Sequence, residues 1–226
     1  MDTIESHLRK CILFNHLSKD DLFALLKGIT YSTKVFDKNE VIFSPLSIAD
    51  TLGIILEGAV DVQKIFASGK ALTISRRFPY ELVADAAIFA NIPNYPSTIV
   101  ACETTHLFMI NRANIIKLFT KDEQIMTKFL ESVSRRVSAL NISIEILSIN
   151  SVPGKIAYFL LKEHQKQKTT TITLNFTKKT WAEYLNVSRP TLSRELKNMQ
   201  SDGVLEFDKR TIHIKSLEML EEICCT

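Results

Sequence analysis

The segment 177–207, TKKTWAEYLNVSRPTLSRELKNMQSDGVLEF, decides the fold of the C-terminal part of this chain. It predicts two helices joined by a short turn, because Thr177 and Ser188 are good N-cap residues and Asp202 and Gly203 form a stop. The runs VLEF and TIHI, joined by DKR, then predict a small β-hairpin. Two helices followed by a hairpin indicate a helix–turn–helix with a wing.

Both predicted helices have an apolar face and a polar face. The apolar positions of the first are Trp181, Ala182, Tyr184, Leu185 and Val187, and those of the second are Leu192, Leu196 and Met199. On or near the opposite face of the second helix lie Arg189, Ser193, Arg194 and Lys197. An arginine early in a helix can present its planar fork to guanine in the major groove, and the helix N-terminus favours phosphate. We therefore expect a DNA-reading helix, against the alternative of an ordinary solvated surface helix.

The charge distribution along the chain agrees with a polyanionic partner for the C-terminal part. The 226 residues are 46% hydrophobic and 23% charged, with a net charge of +3, which is typical of a globular protein. Between Lys155 and Lys215 the chain carries 12 basic and 6 acidic residues, a local net charge of +6. Such an excess suits nucleic acid. Since no apolar run approaches the roughly 18 residues of a membrane span, we expect no membrane association.

The N-terminus and the cysteines indicate the compartment. The opening residues MDTIESHLRKCILF do not have the pattern of a signal peptide, so we expect a reducing cytoplasmic environment. The cysteines Cys11, Cys102, Cys224 and Cys225 form no CxxC pair and no metal-ligand spacing. We expect Cys11 and Cys102 to be small buried residues.

The N-terminal half predicts a β-rich domain. The run SKDDLFALLKG at 18–28 predicts a short helix, and then the apolar pattern changes to a period of two. Short strands are predicted in YSTKVFDKNEVIFS, DTLGIILEGAVDVQKI, KALTISRRF, STIVACE and THLFMINR, with turns at Gly58 and Gly69. Several short strands at this spacing favour a small barrel or sandwich.

A long helix is predicted after Arg112, because from about Asn114 there is no Gly or Pro until Pro153. Apolar residues recur within it at alternating spacings of 4 and 3: Met126, Leu130, Val133, Val137, Leu140, Ile144 and Leu147. A strict heptad repeat favours a partner helix, whereas a helix that packs on its own domain has a broader stripe. We expect a homodimeric coiled coil, with packing inside one chain as the alternative.

The run NSVPGK separates this helix from the next one, for which Ser151 is a cap and Pro153 is tolerated in the first turn. We expect a hinge near Asn150–Gly154. The predicted domains are 1–112, a β-rich domain; 113–150, a dimerisation helix; and 151–226, a winged helix–turn–helix domain.

Over almost its whole length the chain resembles the Crp/Fnr superfamily of bacterial transcription regulators. The resemblance depends on the segment 177–207, on SRRVSALNISIEILSINSVPGKIAYFLL, and on the strand pattern around LGIILEGAVDV. It implies an α+β fold with an N-terminal double-stranded β-roll like a cyclic-nucleotide-binding domain, a long dimerisation helix and a C-terminal winged helix–turn–helix. It also implies a homodimer that binds a palindromic operator in double-stranded DNA.

The resemblance assigns roles to residues of the winged domain. Arg189 and Arg194 stand at the family's base- and phosphate-contacting arginines, and Pro190 replaces an acidic residue that many members have. Since proline cannot accept a hydrogen bond from cytosine, we expect a different operator sequence. The full set of predicted DNA contacts is Lys178, Lys179, Ser188, Arg189, Pro190, Thr191, Ser193, Arg194, Lys197, Lys209 and Arg210.

The sensor region departs from members that bind cyclic AMP. Ala84-Asp85 stands where those members have Gly-Glu, Pro96-Ser97 where they have Arg-Ser, and Leu140-Asn141 where they have the adenine-contacting Thr-Ser pair. Without the arginine a buried cyclic phosphate lacks its bidentate partner, so we expect no cyclic AMP. An iron–sulfur cluster needs more thiolates than Cys11 and Cys102 supply, the scattered histidines do not indicate haem, and no metal site is expected.

An effector pocket for an apolar or weakly polar molecule is predicted, with a plain packed core as the alternative. Its expected lining is Leu82, Ala84, Asp85, Tyr95, Ser97, Thr98, Leu140 and Asn141.

Two other functional classes compete with the regulator. A cupin-type enzyme needs clustered histidines, but His106 stands alone in the β segment, so no enzyme is expected. A β-roll sensor that acts on a protein partner would not need Arg189 and Arg194, and the sequence leaves contacts with RNA polymerase open.

Overall fold

A computed structural model of the chain describes residues 4–225. Residues 1–3 and 226, which belong to the first and last predicted domains, lie outside the described residues. The chain divides into two compact units, residues 1–134 and 135–226. The boundary between the units falls inside the predicted dimerisation segment 113–150.

The first unit begins with two short helices, then consists of antiparallel strands, and ends in helix. The helices are α1 (Ile4–Leu8) and α2 (Lys19–Leu26), and Ser18 caps α2 as the sequence predicts. The strands are β1 (Tyr31–Phe36), β2 (Val41–Phe43), β3 (Thr51–Glu57), β4 (Val60–Ile65), β5 (Ala71–Arg77), β6 (Leu82–Val83), β7 (Thr98–Ala101) and β8 (Thr105–Asn111). A 3-10 turn covers Ala87–Phe89, and helices α3 (Arg112–Lys121) and α4 (Glu123–Ser148) follow β8.

Within residues 4–134 the strands form two antiparallel sheets, with the orders β1-β8-β3-β6 and β2-β7-β4-β5. Ile55 and Leu107 of the first sheet share one apolar cluster with Val60 and Ile99 of the second, so the inner faces form a common core. The other face of the first sheet, which includes Leu52, packs against the helices. The predicted β-roll is therefore confirmed.

The predicted turn at Gly58 connects β3 and β4, which lie in different sheets and are not paired with each other, so it is a turn between sheets and not a hairpin. Gly58 has a φ of +84°, and an added Cβ would lie 2.5 Å from the carbonyl oxygen of Thr104. A side chain at this position would therefore meet both backbone strain and a clash.

The single long helix expected after Arg112 is interrupted at Asp122, which has extended backbone angles between α3 and α4. The reason is a local side-chain cap that the absence of Gly and Pro does not reveal. Asp122 Oδ1 accepts a hydrogen bond from the backbone N–H of Gln124 at 2.8 Å, and Oδ2 lies 3.0 Å from His16 Nε2. This carboxylate both starts α4 and ties it to the N-terminal segment.

The second unit contains the rest of α4 and the winged domain. The helices are α5 (Val152–Gln167), α6 (Lys178–Tyr184), α7 (Arg189–Ser201) and α8 (Leu217–Cys225), and the strands are β9 (Thr171–Thr173), β10 (Leu205–Asp208) and β11 (Thr211–Ile214). The strands pair in the order β10-β11-β9. The expected strand TITLNF is shorter than predicted, and α8, which the sequence analysis missed, buries Leu220 in the core of the unit.

The expected hinge at Asn150–Gly154 lies inside the second unit. Ile146 of α4 and Ile156 of α5, on either side of this segment, are buried in the same core, and the Tyr158 hydroxyl donates to Glu145. Gly154 is also tightly enclosed, since an added Cβ would lie 2.6 Å from Ser151 Oγ. The segment is therefore a packed corner within one compact unit, and the hinge stays a prediction.

Candidate nucleic-acid interface and ligand cavity

The two helices of the helix–turn–helix start at the predicted caps. Thr177 Oγ1 accepts a hydrogen bond from the Thr180 N–H at 3.2 Å, and Ser188 Oγ accepts one from the Thr191 N–H at 3.1 Å. The Ser188 and Thr191 hydroxyls also lie 2.7 Å apart. Pro190 stands in the first turn of α7, where the missing N–H costs no helical hydrogen bond. The start of α7 is thus held by its own side chains.

Helix α7 has the two faces that the sequence predicts. Leu192, Leu196 and Met199 are buried in the core of the second unit. Arg189, Arg194 and Lys197 are exposed, and Ser193 is half-buried. Because its cations do not pack into the core, their side chains are available to a polyanion. Of the apolar positions predicted on α6, Tyr184 is instead 44% exposed, with its ring edge-on to Phe159 at 5.6 Å.

Lys178 links α6, α7 and the wing electrostatically. Its Nζ atom lies 4.0 Å from the centroid of the Phe207 ring on β10. Partial burial lowers the pKa of Lys178, and the positive charges of Arg189 and Lys197 lower it further. Lys178 therefore lies close enough to Arg189 and to Lys197 to form a positively charged patch with them, which suits an anionic partner. The sequence did not single out Phe207, although an aromatic residue on the wing strand is a signal for such a contact.

Arg194 has a carboxylate neighbour that the sequence analysis also missed. Its Nε atom lies 3.2 Å from Glu195 Oε1, and Asn198 Nδ2 donates to Glu195 Oε2 at 3.1 Å. The i, i+3 spacing of Glu195 and Asn198 is the sequence signal for the second of these contacts.

The remaining predicted contacts lie on exposed surface. Lys179 forms an i, i+4 pair with Glu183 at 3.9 Å, which contributes little in water. Lys209 and Arg210 are exposed at the β10–β11 turn, where Lys209 has a positive φ of 47°. Long basic side chains at an exposed turn suit phosphate contact, which positions a protein on DNA without reading its bases.

The predicted heptad residues of α4 form an exposed apolar stripe. Met126, Leu130, Val137, Leu140, Ile144 and Leu147 are between 37% and 64% exposed, whereas Val133 is partly buried. Other apolar residues of the same helix are buried: Ile125 and Phe129 in the first unit, and Ile146 in the second. Val133 packs against the core of the first unit, whereas Val137, Leu140, Ile144 and Leu147 are more than half exposed and so form the part of the stripe that is free to meet another apolar surface.

A cavity of about 350 Å³ lies in the first unit. Its lining is Asp85, Ala86, Phe89, Ala90, Phe119, Met126, Phe129, Leu130 and Val133. The aromatic rings of Phe89, Phe119 and Phe129 pack within 5.3–6.1 Å of one another beside it. The cavity is therefore apolar, with the buried carboxylate of Asp85 as its charged lining residue.

This lining differs from the predicted pocket and shares only Asp85 with it. Leu82 is in the core beneath the helices, and Thr98 is buried in β7. Tyr95 is buried, and its hydroxyl is already used within the fold. The hydroxyl donates a hydrogen bond to the Thr51 carbonyl at 2.7 Å and accepts one from the Thr51 N–H. Ala84 and Ser97 are partly buried. Leu140 and Asn141 belong to the second unit, where both are exposed.

Within the described part of the chain, no group of three or more His, Cys, Asp or Glu residues is arranged to hold a metal ion.

Burial raises the pKa of the Cys11 thiol to about 12, so this group is a thiol and not a thiolate at neutral pH. Every helix in residues 4–225 is too short or too polar to cross a bilayer.

The fold and this surface together define a class: a DNA-binding protein with a β-roll domain and a winged helix–turn–helix domain. Two family profiles agree. The Crp-like helix–turn–helix domain matches residues 154–223, and the cyclic nucleotide-binding domain matches residues 33–122. The chain belongs to the Crp/Fnr family of transcription regulators.

Relatives and solved structures agree with this assignment. The chain is 21% identical to the cyclic AMP receptor protein of Thermus thermophilus, over 93% of this chain and 95% of that protein. It is also 21% identical to the anaerobic regulatory protein of Bacillus subtilis, over 85% of this chain and 83% of that one. Among solved structures, the Thermus thermophilus catabolite activator protein has a TM-score of 0.54 and 20% identity, covering 95% of this chain and 98% of that one. DNR of Pseudomonas aeruginosa has a TM-score of 0.51 and 22% identity, covering 99% and 100%.

Proposed function

We propose that this chain is a homodimeric regulator that reads a palindromic operator with α7. The observation that carries the proposal is the division of α7 into a buried apolar face and an exposed face with Arg189 and Arg194. Arginine is the side chain whose planar fork matches the O6 and N7 acceptors of guanine. Lys178, which lies close to both Arg189 and Lys197, supplies positive charge with Lys197 for the flanking phosphates.

Homodimerisation is supported by the exposed stripe of α4. Large apolar side chains repeat with a period of 3.5 residues, which keeps them on one seam of a two-stranded coiled coil. Burying each Leu or Ile contributes roughly 1.5–3 kcal/mol, so a stripe of this length is sufficient to hold two chains together. In such a dimer the two α7 helices would read half-sites about one helical turn apart.

Selection of binding sites from random duplex DNA tests the core of the proposal. We expect an enriched motif with two-fold symmetry and half-site centres about 10 base pairs apart. Enrichment of no motif at moderate salt, or of an asymmetric motif, would contradict it. A protein that binds no DNA but captures a protein partner would instead be the sensor module considered above.

An effector other than a cyclic nucleotide is the second part of the proposal. The cavity of about 350 Å³ is large enough for a small molecule, and its lining is apolar apart from Asp85. An anionic phosphate would lose its hydration among these apolar side chains, whereas a neutral apolar molecule would gain from burial. Since Met126, Leu130 and Val133 belong both to the lining and to the stripe, a bound molecule would change the surface used for dimerisation.

Titration with Nile red, a neutral apolar fluorophore, and with cyclic AMP tests this part. The fluorescence of Nile red is expected to rise when wild-type protein is added. With Ala90→Phe, the protein concentration that gives half of this rise is expected to be at least about fivefold higher, because the new ring fills the cavity. Cyclic AMP is expected to give no binding heat and no competition. Equal binding of Nile red by both proteins would support the alternative of a regulator with a packed β-roll and no effector.

The proposal includes a cytoplasmic location and no catalytic role. It leaves contact with RNA polymerase as a consequence to be tested on a promoter that contains the selected operator.

A further inference from the structure

Glu195 forms an unusual contact on the DNA-facing helix. Its Oε1 atom lies 3.2 Å from Arg194 Nε, and its Oε2 atom accepts the hydrogen bond from Asn198 Nδ2 at 3.1 Å. The Glu195 side chain is 17% exposed, whereas that of Arg194 is 69% exposed. Glu195 is therefore fixed at both oxygens, beside an arginine that extends into solvent.

Adjacent residues of a helix do not normally face each other, so this contact requires Arg194 to turn its Nε edge back toward Glu195. A guanidinium has five N–H donors in a rigid fork. With the Nε–H directed at the carboxylate, the donors of the two Nη atoms remain on the outer edge. This edge is one that can donate two parallel hydrogen bonds to guanine O6 and N7.

The charge of Glu195 acts against binding to DNA in general. A carboxylate 3.2 Å from the exposed guanidinium of Arg194 would repel phosphates and reduce the sequence-independent attraction. Arg189, by contrast, has no carboxylate within ion-pair distance among the described residues, so the two arginines of α7 are held differently. Glu195 therefore weakens general affinity while it restricts the orientation of one arginine fork.

We propose that Glu195 is a positioning residue that sets base discrimination through Arg194. The proposal rests on the proposed function, since it concerns the base pair that Arg194 reads. It assigns to Glu195 two effects of opposite direction: sharper selection at one base pair per half-site, and weaker binding to unrelated duplexes.

The experiment compares the wild type with Glu195→Gln, Glu195→Ala and Arg194→Ala on the selected operator and on its single-base-pair variants. Arg194→Ala first identifies the base pair whose preference depends on Arg194. Glu195→Gln and Glu195→Ala are expected to reduce the preference at that pair by about 3–10-fold, and to bind a scrambled duplex about 2–5-fold more tightly. Glu206→Gln, which removes an exposed charge paired with Lys215 at 3.0 Å, is the matched control and is expected to leave the preference unchanged.

The outcomes separate this inference from the proposed function. If the wild type shows no sequence preference, the proposed function fails and this inference fails with it. If the wild type is selective but the Glu195 variants keep its preferences, or bind the operator more tightly with the same preferences, then Glu195 only competes for Arg194 and the inference alone is wrong. The double variant of Arg194 and Glu195 is expected to have the same preference at this base pair as Arg194→Ala alone. A further loss of preference in the double variant would also overturn the role of Glu195 through Arg194. Circular dichroism and thermal unfolding of each variant confirm that the domain is folded.

Discussion

The Nζ atom of Lys178 lies 4.0 Å from the centroid of the Phe207 ring, and this contact connects the first helix of the helix–turn–helix to the wing. Partial burial against this surface lowers the pKa of Lys178, as do the charges of Arg189 and Lys197. The ring of Phe207 thus stabilises the ammonium group of Lys178 at a place where the charges of Arg189 and Lys197 repel it. It also keeps that cation close to the face of α7 that we propose reads DNA.

Replacement of Phe207 by Leu tests whether this contact prepares the surface for DNA. The variant keeps an apolar side chain but loses the ring, so Lys178 must be ordered when DNA binds. We expect affinity for the selected operator to fall about 2–5-fold, equivalent to roughly 0.5–1 kcal/mol for an exposed cation–π contact. Because Leu keeps the apolar burial but removes the favourable interaction between the ring and the ammonium group, the pKa of Lys178, measured by NMR, is expected to fall further below its ordinary value. Unchanged affinity together with an unchanged pKa would contradict a positioning role for Phe207.

Arg189 and Lys179 are expected to contribute to DNA binding in different ways. Arg189→Ala should cost about 1–3 kcal/mol on the selected operator and remove the preference at one base pair per half-site. Lys179→Ala should weaken binding to all sequences alike and lower the slope of log K against log salt by about one unit. Fluorescence anisotropy at several salt concentrations distinguishes the two patterns. A uniform, salt-dependent loss for Arg189→Ala would identify Arg189 as a phosphate contact.

A charge in the apolar stripe of α4 is expected to abolish dimerisation. Ile144→Lys places an ammonium group at a position where burial against a second copy would remove it from water, so dimer affinity should fall at least about 100-fold. Ser138→Lys adds the same charge at an exposed position of α4 outside the stripe and is the control. Sedimentation velocity measures the oligomeric state of both. Equal dimer content in the two variants would mean that the stripe is not the interface.

The pair of His16 and Asp122 predicts a pH-dependent contribution to stability. Burial raises the pKa of Asp122, but hydrogen bonds from His16 and from the Gln124 and Ile125 N–H groups outweigh burial and lower it below 3.8. A depressed carboxyl pKa stabilises the fold above the unfolded value, and this contribution is lost as the pH falls through the folded value. Asp122→Asn should therefore reduce the free energy of unfolding by roughly 1–2 kcal/mol at pH 7, and the difference should vanish at acidic pH below 3.8.

Urea unfolding between pH 7 and pH 3 measures this difference. Asp37→Asn, in the exposed turn after β1, is the control and should change the stability by less than about 0.5 kcal/mol. A constant difference for Asp122→Asn across the whole range would show that the ionised carboxylate does not supply the stabilisation.

Ala84 is expected to be a strained position that glycine would relieve. Its φ is +60°, in the left-handed region, where a Cβ costs about 1–2 kcal/mol. Ala84→Gly should raise the free energy of unfolding by about 0.5–1 kcal/mol, because the relief exceeds the added entropy of the unfolded chain. Ala86→Gly, at an ordinary φ of −67°, should have the opposite sign and a similar size. Thermal unfolding that lowers Tm for both variants would refute the strain.

Several features of the winged domain could be predicted from local sequence alone. The caps Thr177 and Ser188 and the stop at Asp202-Gly203 are short-range hydrogen-bonding signals, and the structure has helices at those places. The β-strands of the first unit were likewise visible as short runs rich in β-branched and aromatic residues between turn residues, although β3 is buried along most of its length and does not alternate. The interruption at Asp122 was not visible in the sequence. No Gly or Pro marks the local cap on the Gln124 N–H, and the second contact of the carboxylate is with His16, which is 106 positions away in the chain.

The predicted effector pocket shows the same division. Asp85 was found from its place in the family pattern, but Phe89, Phe119 and Phe129 come from separate elements that only folding brings together. Tyr95 looked available for a ligand until its hydrogen bonds with Thr51 showed that it is committed to the fold. A polar residue in a sequence does not reveal which partner it will find.

The resemblance to the Crp/Fnr superfamily implied the family and the β-roll. The sequence by itself determined the β-rich N-terminal half, the winged helix–turn–helix, the polar face of α7 and the heptad stripe of α4. These follow from periodicity, capping and motif spacing, which act between residues close together in the chain. Only the tertiary structure decided the cavity among the phenylalanines, the break at Asp122 and the contacts of Lys178 with Phe207. Such features depend on which distant side chains meet after burial, because packing and desolvation act through space and not along the chain.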